Sequence, residues 1–351
     1  MAKNKYALVA MSGGVDSAVA AGLAMEAGFS CLGSTMVLCQ KPEEIKDAEA
    51  VAQRLGLPFR IIDASEPFRK LVQEEFLRCY EQGLTPNPCI TCNRTVKFGY
   101  LLDRARELGC DTVVTGHYAR VEWDEATGQY LLKKAADRQK DQSYFLSTLT
   151  REQLSHVYFP LGELTKEQVR RIAEDKGFLN AKKRDSQDIC FVPDGDYMTF
   201  LETFSGKKYP AGDFLDREGN VVGRHRGAVA YTLGQRKGLG LAMGEPVYVC
   251  GKDMEKNTVT VGPNEALFSR ALVAEDFNWI ASPALTEPLP VMAKARSRMT
   301  EQPATVYPEE GGRVRVVFDE PQRAITPGQT VALYDGDTVL GGGRITGVTD
   351  A

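Results

Sequence analysis

Ser12-Gly13-Gly14-Val15-Asp16-Ser17 lies between an apolar run, Tyr6 to Ala10, and an Ala-rich run, Ala18 to Ala27. A glycine turn entering a helix gathers backbone N–H groups and the positive end of the helix dipole in one place, which suits a phosphate. A Walker-type loop requires a lysine directly after its glycines, and none follows here. A plain strand-to-helix turn capped by Asp16 or Ser17 is the structural alternative. Six residues of the pattern in a strand-to-helix setting favour the phosphate loop.

A second constellation is Thr85-Pro86-Asn87-Pro88-Cys89-Ile90-Thr91-Cys92-Asn93. The prolines hold the backbone extended, and Asn93 is expected to cap a helix running through Lys97, Leu101 and Leu108. Cys92 at that junction would feel the helix N-terminus, which favours thiolate. Half a zinc site would also read Cys-x-x-Cys, but no second Cys-x-x-Cys or His pair accompanies it. The strand and proline context differs from a thioredoxin-like motif. A third segment, Lys182-Lys183-Arg184-Asp185-Ser186-Gln187-Asp188-Ile189-Cys190-Phe191-Val192, places Cys190 behind basic residues that would stabilise its thiolate. Taken alone, Cys190 in an apolar triplet would be structural. The other five of eight cysteines, Cys31, Cys39, Cys79, Cys110 and Cys250, read as small core or surface residues.

These residues need elements to position them. Strand-like runs at Tyr6 to Ala10, Cys31 to Val37, Phe59 to Ile62 and Thr112 to Thr115 alternate with helical periodicity at Ser17 to Ala27, Glu43 to Leu55, Glu66 to Gln82 and Asn93 to Leu108. Such alternation predicts an α/β domain with a parallel sheet, whose ligands sit at the carboxyl ends of the strands. The glycine turn, Met36 and Thr115-Gly116-His117-Tyr118 all fall there. After Asp194 short runs are punctuated by Gly and Pro, and from about Leu272 strands dominate, which suggests a small sandwich or barrel. The expected domains are 1–197, a small central domain 198–270, and a β-rich domain 271–351.

The chain has 351 residues, 43% hydrophobic and 26% charged, an ordinary globular balance with more than one domain expected. It starts Met1-Ala2-Lys3-Asn4-Lys5 and has no apolar run approaching a membrane span, so a cytoplasmic enzyme without a membrane partner is expected. Without a secretory signal, eight cysteines point to reduced thiols, a metal centre or redox chemistry rather than a disulfide framework. The net charge of −4 excludes a uniformly basic surface, yet basic residues cluster five times. The groups are Lys133, Lys134, Arg138 and Lys140; Lys182 to Arg184; Arg224, His225 and Arg226; Arg236 and Lys237; and Lys294, Arg296 and Arg298. Any one could be a solvated face, whereas five folded together would suit RNA.

Ser-Gly-Gly-x-Asp-Ser resembles the pyrophosphate (PP) loop of ATP pyrophosphatases. Further motifs accompany it in order: Thr85-Pro86-Asn87-Pro88 with Cys92-Asn93, Thr115-Gly116-His117-Tyr118, Lys140-Asp141-Gln142-Ser143-Tyr144-Phe145-Leu146, Asp185-Ser186 with Ile189-Cys190-Phe191, Thr232 to Gly240, and Thr326-Pro327-Gly328-Gln329. Together they resemble the bacterial tRNA-specific 2-thiouridylases over essentially the whole chain. The resemblance implies a PP-loop adenylation domain, a small central domain and a β-barrel-like C-terminal domain. It implies replacement of O2 by sulfur at the wobble uridine, position 34: ATP adenylates the oxygen, pyrophosphate leaves, and sulfur displaces AMP. Cys190 then matches the persulfide carrier and Cys92 the thiol that completes sulfur release, leaving a Cys92–Cys190 disulfide.

By the same resemblance Ala10, Met11, Ser12, Gly13, Gly14, Val15, Asp16, Ser17, Met36 and Gly116 match ATP-binding positions, with Met36 beside the adenine. Asn87, Pro88 and Cys89 match the loop at the target base, and His117, Lys140, Asp141, Gln142, Ser297, Arg298 and Gln329 match tRNA contacts. Structural alternatives are a solvated charge followed by a core aromatic strand for Lys140 to Leu146, and a glycine-rich turn for Thr232 to Gly240. Magnesium is expected, since a triphosphate needs charge neutralisation, and a cysteine desulfurase or sulfur-relay protein is implied as donor.

Two departures stand out. Many family members carry aspartate where this chain has Cys89, and the segment after Met36 is short. Three cysteines, Cys89, Cys92 and Cys190, could instead hold a [4Fe–4S] cluster with one open iron for hydrosulfide. An ATP pyrophosphatase acting on a small carboxylate would explain the glycine loop and leave the cysteines idle. A zinc or iron–sulfur RNA-binding protein would explain the cysteines and ignore the loop.

Overall fold

The computed structural model describes residues 5–39, 42–178, 189–192 and 195–349. The basic group Lys182 to Arg184, the pair Asp185-Ser186 and Asp194 lie outside the described residues. The first domain is built on β1 (Tyr6–Ala10), β2 (Ser30–Val37), β3 (Phe59–Asp63) and β4 (Thr112–Val114), with a hairpin of β5 (Ala119–Asp124) and β6 (Gln129–Lys134) before β7 (Val157–Tyr158). Five strands form an all-parallel sheet in the order β3-β2-β1-β4-β7. Both faces are covered, which is why its strands read as continuous apolar runs. Along β1, Leu8 points into a core with Phe68, Phe76 and Val113, while Ala7 and Val9 point into another with Val19, Ala20 and Val51.

Chain order reverses at β1, where β2 lies on one side and β4 on the other. A crevice opens at such a switch point, at the carboxyl ends of the strands. The glycine turn leaves β1 there, and Thr115 to Tyr118 leave β4 beside it. Helices Val15–Glu26, Pro42–Arg54 and Lys166–Asp175 pack on one face. Helix Pro88–Cys92 continues through wider, π-type turns at Asn93–Tyr100 into Leu101–Glu107 on the other.

The β5–β6 hairpin has no counterpart in the strand pattern read from sequence. The aromatic strand considered for Lys140 to Leu146 is instead a short helix, Ser143–Leu146. Asp141 turns the chain there: its Oδ1 accepts from Ser143 N at 3.2 Å and its Oδ2 from Ser143 Oγ at 2.7 Å, favouring a helix start over an extended chain.

The central domain contains helix Tyr197–Ser205 and a sheet of β8 (Gly212–Leu215), β9 (Val221–His225), β10 (Tyr248–Asp253) and β11 (Thr258–Gly262) in the order β10-β11-β8-β9. The last six strands are β12 (Phe268–Trp279), β13 (Leu289–Lys294), β14 (Gln302–Pro308), β15 (Val314–Arg323), β16 (Thr330–Asp335) and β17 (Thr338–Thr349). They run antiparallel as β12-β15-β14-β13-β16-β17, and β12 pairs with β17 to close a barrel. Closure removes the open sheet edges. Leu272, Val306, Val316, Phe318 and Leu333 are among the residues packed in its core.

The barrel is fastened to the first domain. Strand β17 pairs with β6 at Thr338 and Lys133, Tyr144 Oη donates to Thr330 O at 2.8 Å, and Asn278 Nδ2 donates to Leu149 O at 2.7 Å.

Candidate active site: a phosphate loop beside a thiol cluster

The turn after β1 is organised by its hydroxyls. Ser17 Oγ accepts from Ser12 N at 3.1 Å and donates to Gly14 O at 2.9 Å, and Ser12 Oγ lies 3.3 Å from Ser17 Oγ. Gly13 has φ of 72°. No side chain caps helix Val15–Glu26, so its first N–H groups remain available to an anion. Gly116, at the end of β4, closes the other wall: a Cβ there would lie 2.8 Å from the backbone carbon of Asp16, so only glycine allows this approach. The structure thus brings Ala10 to Ser17 and Gly116 together, with buried Met36 in the neighbouring strand β2.

Asp16 is not a cap. Its carboxylate accepts from Lys166 Nζ at 2.8 Å through both oxygens and from Tyr118 Oη at 2.9 Å. Lys166 is buried and its ammonium sits 5.7 Å from the Tyr118 ring. A cation is therefore held against the phosphate loop from a helix 150 residues away. Sequence reading missed Lys166; its only local signal is its place just after Thr165, which caps that helix with Gln168 in a capping box.

The Cys-x-x-Cys segment departs from expectation. Asn87, not Asn93, is the cap: its Oδ1 accepts from Cys89 N at 3.2 Å, and Pro88 occupies the first helical turn. The helix therefore starts five residues earlier than read, and Asn93 Nδ2 donates to Phe145 O at 3.1 Å. Cys92 stands a turn inside the helix and is buried, whereas Cys89 is exposed at its start. Burial pushes the Cys92 thiol up to about 11, against the charge of Lys97. It is not the poised thiolate that the sequence suggested. Partial desolvation by the surrounding chain also raises Cys89, again opposed by Lys97.

Cys190 behaves oppositely: in its hydrogen-bonded pair with Cys39 it is shifted toward thiolate, while Cys39 is pushed well above the ordinary thiol range. A hydrogen bond from the Cys39 thiol contributes most; the charge of Lys97 also favours thiolate, while burial opposes it. Cys39, read from sequence as a small core or surface residue, is exposed just beyond β2 with its Sγ 3.7 Å from Cys190 O. Cys39, Cys89, Cys92 and Cys190 therefore form one group, felt through one another's charges. Glu44 links it to the phosphate loop: its carbonyl oxygen would lie 3.0 Å from a Cβ on Gly13, and its charge reaches both Cys39 and Cys190. Lys97 acts on Cys89, Cys92, Cys190 and His117 together. A lone lysine five residues after Cys92 is a signal too weak to have singled it out.

His117 accepts or donates to Thr115 Oγ1 through Nδ1 at 2.6 Å and lies between the Phe98 and Phe159 rings, each 5.6 Å away. Burial, then Lys97, holds it well below the usual histidine range, so its imidazole is neutral at neutral pH. Asp141 Oδ1 accepts from Ala135 N at 2.9 Å, and Gln142 Oε1 accepts from Tyr118 N at 2.9 Å. Gln329 Nε2 donates to Thr85 O at 2.7 Å. Arg298 is exposed and Ser297 half-buried on the turn after β13.

The basic groups divide. Lys133 pairs with Glu122, buried Lys134 holds Glu301 at 2.6 Å, and Arg138 holds Asp337 at 2.6 Å, so most of the first cluster serves internal contacts. Arg226, Arg236 and Lys237 are exposed. Arg236 and the segment from Gly238 to Val247 line an open cavity of about 500 Å³.

Three family models match consecutive parts of the chain: residues 5–194 a tRNA methyl transferase HUP domain, 198–263 a tRNA methyl transferase PRC-barrel domain, and 269–345 an aminomethyltransferase beta-barrel domain. Curated relatives are named for thiolation. The tRNA-specific 2-thiouridylase MnmA of Acetivibrio thermocellus is 47% identical over 98% of this chain and 100% of its own length. That of Clostridioides difficile is 45% identical over 98% and 99%, and that of Symbiobacterium thermophilum 48% identical over 97% and 92%. Identity of that extent, across all three domains, shows that this chain belongs to the tRNA-specific 2-thiouridylases, a family of ATP-dependent sulfurtransferases of the PP-loop superfamily.

Proposed function

We propose that this chain replaces O2 of the wobble uridine with sulfur through an adenylated intermediate, with the sulfur carried as a persulfide on Cys190. The observation that carries this reading is an uncapped helix start at the glycine loop beside a thiol group in which Cys39 lies against Cys190 and Cys190 is shifted toward thiolate. ATP would lie in the crevice between β1 and β4, its phosphates on Ser12 to Ser17 and its adenine toward Met36. The target base would enter at Asn87, Pro88 and Cys89. The uridine O2 attacks the α-phosphate and pyrophosphate leaves; the persulfide's outer sulfur then displaces AMP at C2. Cys92 attacks Cys190 Sγ, the sulfur–sulfur bond breaks, and its electron pair stays on the sulfur now attached to the base.

The two thiols suit this order. Cys190 is thiolate-prone and exposed, whereas Cys92 keeps its proton until the reaction brings it forward. Magnesium bound with ATP would neutralise phosphate charge. Asp16 is the one acidic residue of the loop and is held by Lys166 and Tyr118, so phosphates and water would supply that ion's ligands. His117, as a neutral donor or acceptor, suits a base or ribose contact rather than a phosphate charge. Lys140, Asp141, Gln142, Ser297, Arg298 and Gln329 complete the proposed tRNA face. A sulfur-donating desulfurase or relay protein, a cytoplasmic setting and the domain limits 1–197, 198–270 and 271–351 belong to the same proposal. Among the described residues no helix is long and apolar enough to cross a membrane.

A [4Fe–4S] cluster with one open iron needs three thiolates, each on a different iron corner of the cube. Among the described residues no group of three His, Cys, Asp or Glu side chains is placed to hold a metal ion. No step is routed through such a cluster. The test is pyrophosphate release and 2-thiouridine formation on an unmodified tRNA transcript, with free amino acids as the competing acceptors. Release with amino acids alone would overturn the reading in favour of carboxylate activation.

A further inference from the structure

Cys92 and Cys190 differ in access. Cys92 is 7% exposed among Ile90, Val96 and Phe98, while Cys190 and Cys39 are both exposed. A disulfide between Cys92 and Cys190 would have one sulfur in the core, where a soluble reductant has a poor line of attack. The Cys39 thiol is already hydrogen-bonded to Cys190, on a segment that follows β2 and is independent of the Cys-x-x-Cys helix.

We propose that Cys39 is a relay thiol that moves the disulfide from Cys92–Cys190 to Cys39–Cys190, at the surface, where a small thiol reductant reopens it. This rests on the persulfide reading above, which supplies the first disulfide. Cys39 sulfur attacks Cys190 Sγ; the bond from Cys190 to Cys92 breaks, and its electron pair leaves with Cys92 sulfur. Cys39 gives up its proton as it attacks, and the leaving Cys92 sulfur takes one up, since its buried place favours the neutral thiol. One disulfide and one thiol are exchanged for another of each, so no oxidant is needed. A thiol such as glutathione then reduces Cys39–Cys190, two of its molecules becoming one disulfide. Cys39 thus acts after sulfur has reached the base and returns Cys92 to its protonated, buried state.

The test uses the full chain, Mg-ATP, unmodified tRNA transcript and cysteine persulfide as sulfur source, with acid quenching, thiol alkylation and peptide mass mapping after one turnover. The wild type should yield a Cys39–Cys190 linkage. Cys39→Ser should accumulate Cys92–Cys190 and lose steady-state thiolation several-fold at limiting glutathione, more than it loses in the first turnover. A melting curve checks that this exposed substitution folds, and Cys39→Ala should behave the same way. Cys92–Cys190 as the sole linkage in the wild type, or wild-type steady-state rates in both variants, would overturn the relay alone. Thiolation without any disulfide in wild type or variants would overturn the persulfide reading and the relay with it.

Discussion

The Cys39 hydrogen bond, and after it the Lys97 charge, favour thiolate at Cys190. Because the Cys39 hydrogen bond lowers Cys190 and burial raises Cys92, iodoacetamide should label Cys190 at a lower pH than Cys92. Lys97→Met removes a charge that favours thiolate, so the Cys190 midpoint should move upward; a downward move would contradict this electrostatic account. At the phosphate loop, Asp16→Ala should abolish pyrophosphate release. It also leaves Lys166 buried without its counter-charge, at a cost of about 3 kcal/mol or less because the Asp16 side chain is 29% exposed. Lower melting temperature with loss of activity is expected, and a folded variant with retained activity would refute the loop's role. The Ser12 to Ser17 turn between β1 and its helix was legible in sequence because its residues are contiguous. Lys166 and Cys39 were not, since their partners lie 150 and 151 residues away.

At the scale of elements, the Thr326 to Gln329 turn holds the loop that carries the cysteines. Thr85 N donates to Pro327 O at 2.9 Å, Gln329 Nε2 donates back to Thr85 O, and Gly328, at φ of 93°, would place a Cβ 2.7 Å from Thr85 N. Gly328→Ala should therefore loosen this loop and reduce thiolation while ATP binding persists. Equal losses of nucleotide binding and thiolation in a folded variant would show that the turn does not act locally. Asn87→Ala removes the helix cap, at about 1 kcal/mol, and should speed proteolysis at 85–92 more than elsewhere. The strand and helix alternation of the first domain was readable because both sheet faces are buried. The cap was misplaced because Pro88 was read as a break, whereas proline in the first helical turn gives up no hydrogen bond. The β5–β6 hairpin escaped notice because Arg120, Glu122 and Lys133 interrupt its apolar alternation, and they serve ion pairs rather than solvent alone.

Across the whole molecule, Asp337 joins the barrel to the first domain through Arg120 at 2.7 Å and Arg138 at 2.6 Å. Burial raises its pKa, but Arg138 and Arg120 outweigh that and hold the carboxyl below its ordinary value of 3.8. The pair's contribution is therefore fully present above that value and lost as pH falls through the depressed one. Thermal unfolding of Asp337→Asn against wild type should show a gap that narrows below pH 4, and a gap that widens there would contradict the joint. The three-part organisation was visible in the changing texture of the chain, but this joint was not, because nothing local marks Asp337 as the partner of Arg120 and Arg138. The central claim is sulfur transfer from Cys190 to an ATP-activated uridine. Protein loaded with isotope-labelled persulfide, mapped to Cys190, is mixed with Mg-ATP and unmodified tRNA, and the tRNA nucleosides are analysed by mass spectrometry. The account predicts that the label leaves Cys190 and appears as 2-thiouridine at position 34, with one pyrophosphate released per sulfur; labelled 2-thiouridine from a Cys190→Ser protein, or transfer without pyrophosphate, would contradict it.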